Sequence, residues 1–159
     1  ATRGLSELGA GLINLGRTED AQRVLQRAVD VPGLAPQQAL DAMRLLALVS
    51  DELTAARALA DRIAALAPRA PRGPASSALG SIAATLARLG DVPRARALLA
   101  RAELLSGPMS VEDEENYRRQ RAQTLMRTGD LDGAAIAWRD VVGLHRDHAD
   151  AFSAERQAE

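Results

Sequence analysis

Leu86–Ala87–Arg88–Leu89–Gly90 leads directly into Asp91–Val92–Pro93–Arg94–Ala95, and these ten residues decide the fold. A Gly after a helical apolar pattern suits a helix C-terminus, where a left-handed backbone is cheap only for Gly. A Pro two residues beyond the next Asp suits the first turn of a new helix. The same shape recurs three times. Leu12–Ile13–Asn14–Leu15–Gly16 runs into Thr18–Glu19–Asp20–Ala21, and Leu46 to Ser50 runs into Asp51, Leu53 and Ala56. Leu125–Met126–Arg127–Thr128–Gly129 runs into Asp130–Leu131–Asp132–Gly133–Ala134. The turn residues 16, 51, 90 and 129 are 35, 39 and 39 residues apart. Asp51 stands where the other units have Gly and is expected to take their left-handed turn. Thr54 and Asp132 stand where Pro93 does and are expected to cap.

Each unit reads as two helices. The second is amphipathic: Ala21, Val24, Leu25 and Ala28 share a face, as do Ala56, Leu59, Ala60 and Ile63. Ala95, Leu98, Leu99 and Ala102 repeat it, and so do Ala134, Ala137, Trp138 and Val141. First helices carry Leu5, Leu8 and Leu12, then Leu40, Met43 and Ala47, then Leu79, Ile82 and Leu86. The fourth face is weaker, with Arg118, Arg121 and Leu125 around Ala122. Start signals agree: Pro36 and Pro74 fit first turns, and Ser110 with Asp113 forms a capping-box pattern. The predicted helices are 2–15, 18–31, 36–49, 53–67, 75–89, 92–105, 111–128 and 131–145, with a further piece beginning near 149.

Composition supports an all-α chain. Among 159 residues there are 33 Ala, 23 Leu and 20 Arg, all strong helix formers, and only three aromatics. The chain has no Cys, which removes disulfides, thiol nucleophiles and cysteine zinc sites. It has no Lys, which removes a Walker A loop and Schiff-base chemistry. A net charge of −1 argues against nucleic-acid binding. The longest uncharged run, Gly73 to Ala87, is 15 residues with three Ser and a Thr, too short and polar to span a bilayer. Direct membrane insertion is therefore not expected. Arg-only, Ala-rich usage points to a GC-rich, bacterial genome, with cytoplasm and periplasm both open.

The first unit places Leu5, Leu8–Gly9, Leu12, Gly16, Ala21, Leu25 and Ala28 at the spacings of the tetratricopeptide repeat, and the second ends in Ala67–Pro68. The chain resembles that family over nearly its whole length. Departures are Asp51 for Gly, Arg121 at a large apolar position, and longer linkers after the second and third units. The resemblance implies a right-handed superhelix of antiparallel helix pairs, an α-solenoid held together by neighbour packing. It would form one domain over 1–159, with repeats at about 2–35, 36–74, 75–110 and 111–148. Residues 149–159 would open a fifth repeat, with Phe152 in its aromatic position, or form a capping helix; the first reading makes the chain a section of a longer array.

The resemblance also implies a groove along the first helices that binds a protein or peptide. The residues expected there include Glu7, Asp41, Leu45, Ser77 and Ser81. The most coherent group is Arg88, Asn116, Arg119, Gln120, Gln123 and Arg127, whose guanidiniums and amides suit carboxylates and peptide backbone. A Lys–Asn carboxylate clamp is absent, since Ser6 and Ala10 stand at its positions. The expected function is a non-catalytic interaction scaffold without cofactor. Alternatives are the repeat section of a bacterial exopolysaccharide export protein, or an effector segment of a multidomain ATPase-type regulator. Exposed array ends also allow self-association. His145, Asp147, His148 and Asp150 form the sole metal-like cluster and read better as a polar helix end. Gly9–Ala10–Gly11 lacks both the strand and the third Gly of a dinucleotide loop and reads as packing.

Overall fold

The computed structural model describes residues 2–157, with side chains from Arg3 to Ala149. Among these residues the chain is all α-helical, without strands. The helices are α1 (Thr2–Asn14), α2 (Thr18–Val29), α3 (Pro36–Val49), α4 (Leu53–Leu66), α5 (Arg72–Arg88), α6 (Val92–Glu103), α7 (Val111–Arg127) and α8 (Leu131–Gln157). A 3-10 turn, Ala67–Arg69, links α4 to α5.

The odd-numbered helices form a row in which α1 packs on α3, α3 on α5 and α5 on α7. Each even-numbered helix packs on the odd helix before it, and α2 and α4 also pack on the odd helix after. The predicted second-helix faces are the buried ones. Ala21, Leu25 and Ala28 are fully buried, as are Ala56, Ala95 and Ile63, with Leu98, Leu99, Ala134 and Val141 nearly so. Each buried Leu or Ile contributes about 1.5–3 kcal/mol before conformational entropy is counted.

Every residue from Gly73 to Ala87 is buried, so α5 is the central helix. Its uncharged run is the sequence signature of a helix covered on all sides. Small residues let α7 approach it. A Cβ added at Gly80 would stand 3.1 Å from Tyr117 Cδ2 and 3.3 Å from Gln120 Cβ, and one at Gly73 would strike the Asp113 carboxylate. Between even helices the links are ionic: Arg62 to Asp30 at 3.5 Å, Arg57 to Asp91 at 2.7 Å, and Arg94 to Asp61. Exposed pairs of this kind contribute about 0–1 kcal/mol each, so they set register more than stability.

Several expectations are corrected. Gly16, Gly90 and Gly129 take positive φ (70°, 94° and 83°), but among the described residues no non-Gly residue does, so Asp51 does not reproduce the left-handed turn. That junction is extended instead, with Ser50 at φ −74°, ψ 124°. An extended residue there lets the chain turn without placing a Cβ in the left-handed region. The cap of α8 is Asp130, whose Oδ1 accepts from Gly133 N at 2.9 Å, not Asp132. Thr54 lies one residue inside α4, whose N-cap Glu52 makes no side-chain cap. Helix α5 begins at Arg72 and takes Pro74 into its first turn. Ser110 caps α7 as expected, accepting from Asp113 N at 3.1 Å. No new helix begins near 149: α8 runs unbroken to Gln157, because the stretch after Gly143 contains neither Gly nor Pro. The expected role of Phe152 lies outside the residues with described side chains.

Candidate protein-binding groove

The odd helices meet in one cleft of about 380 Å³. Glu7 comes from α1, Asp41 and Leu45 from α3, Pro74 from α5, and Glu112 and Asp113 from α7. These elements converge because α1, α3, α5 and α7 pack successively side by side. The cleft is acidic: Glu7, Asp41, Glu112 and Asp113 line it, and among the described residues Arg44 is its one cationic lining residue. Burial raises the Asp41 carboxyl above its ordinary range; Arg44 partly offsets this, and the charges of Asp113 and Glu112 add to it. Such a surface attracts cationic groups and repels carboxylates.

The sequence-predicted group lies on α5 and α7, and much of its bonding capacity is used internally. Arg88 donates to the Ser50 carbonyl, closing the extended junction after α3. Arg127 Nη1 donates to the Ala84 carbonyl at 3.3 Å. Arg119 pairs with Glu115 at 2.9 Å and stays exposed. The Asn116 amide donates to Ser77 Oγ. Gln120 is only 9% exposed and packs against Gly80, so its groove assignment is corrected: close approach of α5 and α7 encloses it. Ser77 and Ser81, also expected on the groove, are buried for the same reason. Arg88, Arg119 and Arg127 are the exposed members of the group, and Asn116 and Gln123 are half-buried.

Tyr117 of α7 is buried. Its hydroxyl is buried without a hydrogen-bond partner, as are Arg72 Nε and the hydroxyls of Ser76 and Ser81. The Tyr117 phenol is pushed up to about 12, chiefly by burial, with Glu103 adding and Arg121 and Arg72 opposing. Arg121 is held by Glu103 at 2.8 Å, which explains how a guanidinium occupies a position expected to be apolar. His145 faces Glu115 at 3.3 Å. Among the described residues no group of three His, Asp or Glu is arranged to hold a metal ion. Among them, too, no helix is long and apolar enough to cross a membrane.

The acidic cleft was missed in the sequence. Its carboxylates are scattered over more than a hundred residues: Glu7 and Asp41 were expected on the groove, but nothing local joined Glu112 and Asp113 to them. No family model, curated protein or solved structure matches this chain.

Proposed function

We propose that the chain is a tetratricopeptide-like solenoid and a non-catalytic scaffold, binding a protein or peptide segment along the row of odd helices. The observation that carries this reading is the single cleft to which α1, α3, α5 and α7 all contribute. A cleft lined by α1, α3 and α7, with only Pro74 from the buried α5, suits a peptide segment, because those helices offer it side chains in turn. The binding surface comprises that cleft together with the exposed Arg88, Arg119 and Arg127.

Site-specific crosslinking tests this. A photoreactive side chain at Ala10 or Gln37, both lining the cleft, is expected to capture one partner in cells. The same group at Ala97, exposed on α6, is expected to capture none. Glu7→Lys/Glu112→Lys is expected to abolish capture with helicity unchanged. Crosslinks arising from Ala97 alone would move the site to the even helices and overturn the proposal.

A further inference from the structure

Among the described residues six carboxylates are half-buried: Asp20, Asp41, Asp91, Asp113, Glu114 and Glu115. Four of them are held by guanidiniums. Arg17 and Arg23 hold Asp20, Arg57 holds Asp91 at 2.7 Å, Arg118 holds Glu114, and Arg119 holds Glu115 at 2.9 Å. The two without such a partner, Asp41 and Asp113, both line the cleft between α1, α3 and α7. Taking a carboxylate partly out of water costs free energy that a paired cation returns. The fold supplies that cation for the four elsewhere and not for the two in the cleft.

Neighbouring charges do not make up the difference. Glu7 is answered by Arg3 at 3.0 Å, on the exposed side of α1. Arg44 lines the cleft and acts on Asp41 through space, without a salt bridge to it. Arg72, two residues before Pro74, turns away and donates to the Gly107 carbonyl at 3.0 Å. Asp113 accepts from the Ser110 hydroxyl at 2.8 Å, a neutral donor. Four carboxylates set against Arg3 and Arg44 leave the cleft with two negative charges in excess. The dipole of α7 favours Glu112 and Asp113 in its first turn. It does nothing comparable for Asp41, which lies beyond the first turn of α3.

We infer that the segment bound in this cleft enters it with a cationic side chain, Arg or Lys, received between Asp41, Glu112 and Asp113. The inference rests on the cleft's being a peptide-binding groove and adds the chemistry of the residue it selects. Ala10, Leu45 and Pro74 line the same cleft and offer apolar contact to the methylene stem of such a side chain. A metal ion does not suit the geometry: among the described residues no three acids are grouped closely enough to share one. A side-chain cation needs no such grouping, because its several N–H donors reach separate carboxylates. The half-burial of Asp41, unfavourable in the free chain, becomes favourable once the cation is in place.

Selection from a pool of random-sequence peptides tests it, with the whole chain carrying a photoreactive side chain at Ala10 or Gln37. Captured peptides are expected to be enriched in Arg or Lys, and the enriched residue tells the two cations apart. Asp41→Asn and Asp113→Asn are each expected to weaken capture by about tenfold, since each removes a charge facing the cation. Asp41→Asn is expected to do so while leaving the denaturant midpoint no lower than the parent's, which a purely structural role would not give. Glu19→Gln, exposed on α2 away from the cleft, is expected to capture like the parent. Captured peptides without excess Arg or Lys would overturn the inference and leave the groove standing. Undiminished capture by both Asn variants would do the same. No capture from either position would overturn the groove and the inference together.

Discussion

Gly9 and Leu25 form a knob and socket whose energetics follow from two distances. A Cβ added at Gly9 would stand 2.5 Å from Leu25 Cδ2 and 2.6 Å from its Cγ. Carbon atoms prefer about 3.5–4.0 Å, so roughly 1 Å must be absorbed. Leu25 is 0% exposed and has no solvent to move into. Overpacking of this sort costs about 1–3 kcal/mol. Replacing a helical Gly by Ala returns about 0.8–1 kcal/mol. Gly9→Ala is therefore expected to destabilise the chain by about 0–2 kcal/mol. Leu25→Ala alone is expected to cost about 2–5 kcal/mol. In that background the obstructing atoms are gone, and Gly9→Ala reverses sign, stabilising by about 0.8–1 kcal/mol. The double-mutant cycle isolates a coupling of about 1–3 kcal/mol. Urea unfolding at 222 nm, with amide exchange across α1 and α2, measures it both globally and locally. A Gly9→Ala variant that gains equal stability in both backgrounds would refute the close approach of α1 and α2.

Other expectations follow from the same structure. Ser76→Ala and Ser81→Ala remove buried hydroxyls without partners and are expected to be neutral or to stabilise by up to about 1 kcal/mol, read from denaturant midpoints. Ala95→Leu, at a fully buried small residue, is expected to cost about 1–3 kcal/mol, and an unchanged midpoint would contradict the register. Arg88→Ala strips the donor from the Ser50 carbonyl and is expected to lose about 1 kcal/mol and loosen the 50–51 junction in amide exchange. Asp41 titrates above its unfolded value of 3.8, so the native state binds the proton more tightly; that contribution is present below 3.8 and lost as pH rises through the raised value. Asp41→Asn is thus expected to raise stability at neutral pH and flatten the pH–stability curve just above 3.8. Asp91 behaves oppositely: the Arg57 hydrogen bond lowers its carboxyl, and the stability it adds above 3.8 is lost as pH falls.

The helices and their buried faces were legible because both rest on local chemistry. Gly at 16, 90 and 129, Pro at 36 and 93, and a small–large–small apolar rhythm report backbone and burial within a few residues. The site was less legible. Arg88 and Arg127 read as free guanidiniums, since nothing local reveals that carbonyls 38 and 43 residues upstream would claim them. Ser77 and Ser81 read as a polar face, because a small hydroxyl is compatible with either solvent or a tight helix contact. Gly73 and Gly80 admit α7 closely enough to choose the contact.

Composition and periodicity by themselves determined an all-helical chain with its apolar faces in register, because helix propensity and side-chain periodicity act over one or two turns. Only the tertiary structure decided that α5 lies at the centre. It alone brought four scattered carboxylates into one cleft, and left Leu8 exposed on α1. Those features depend on which helix lies beside which, and such proximity arises from packing between residues far apart in the chain.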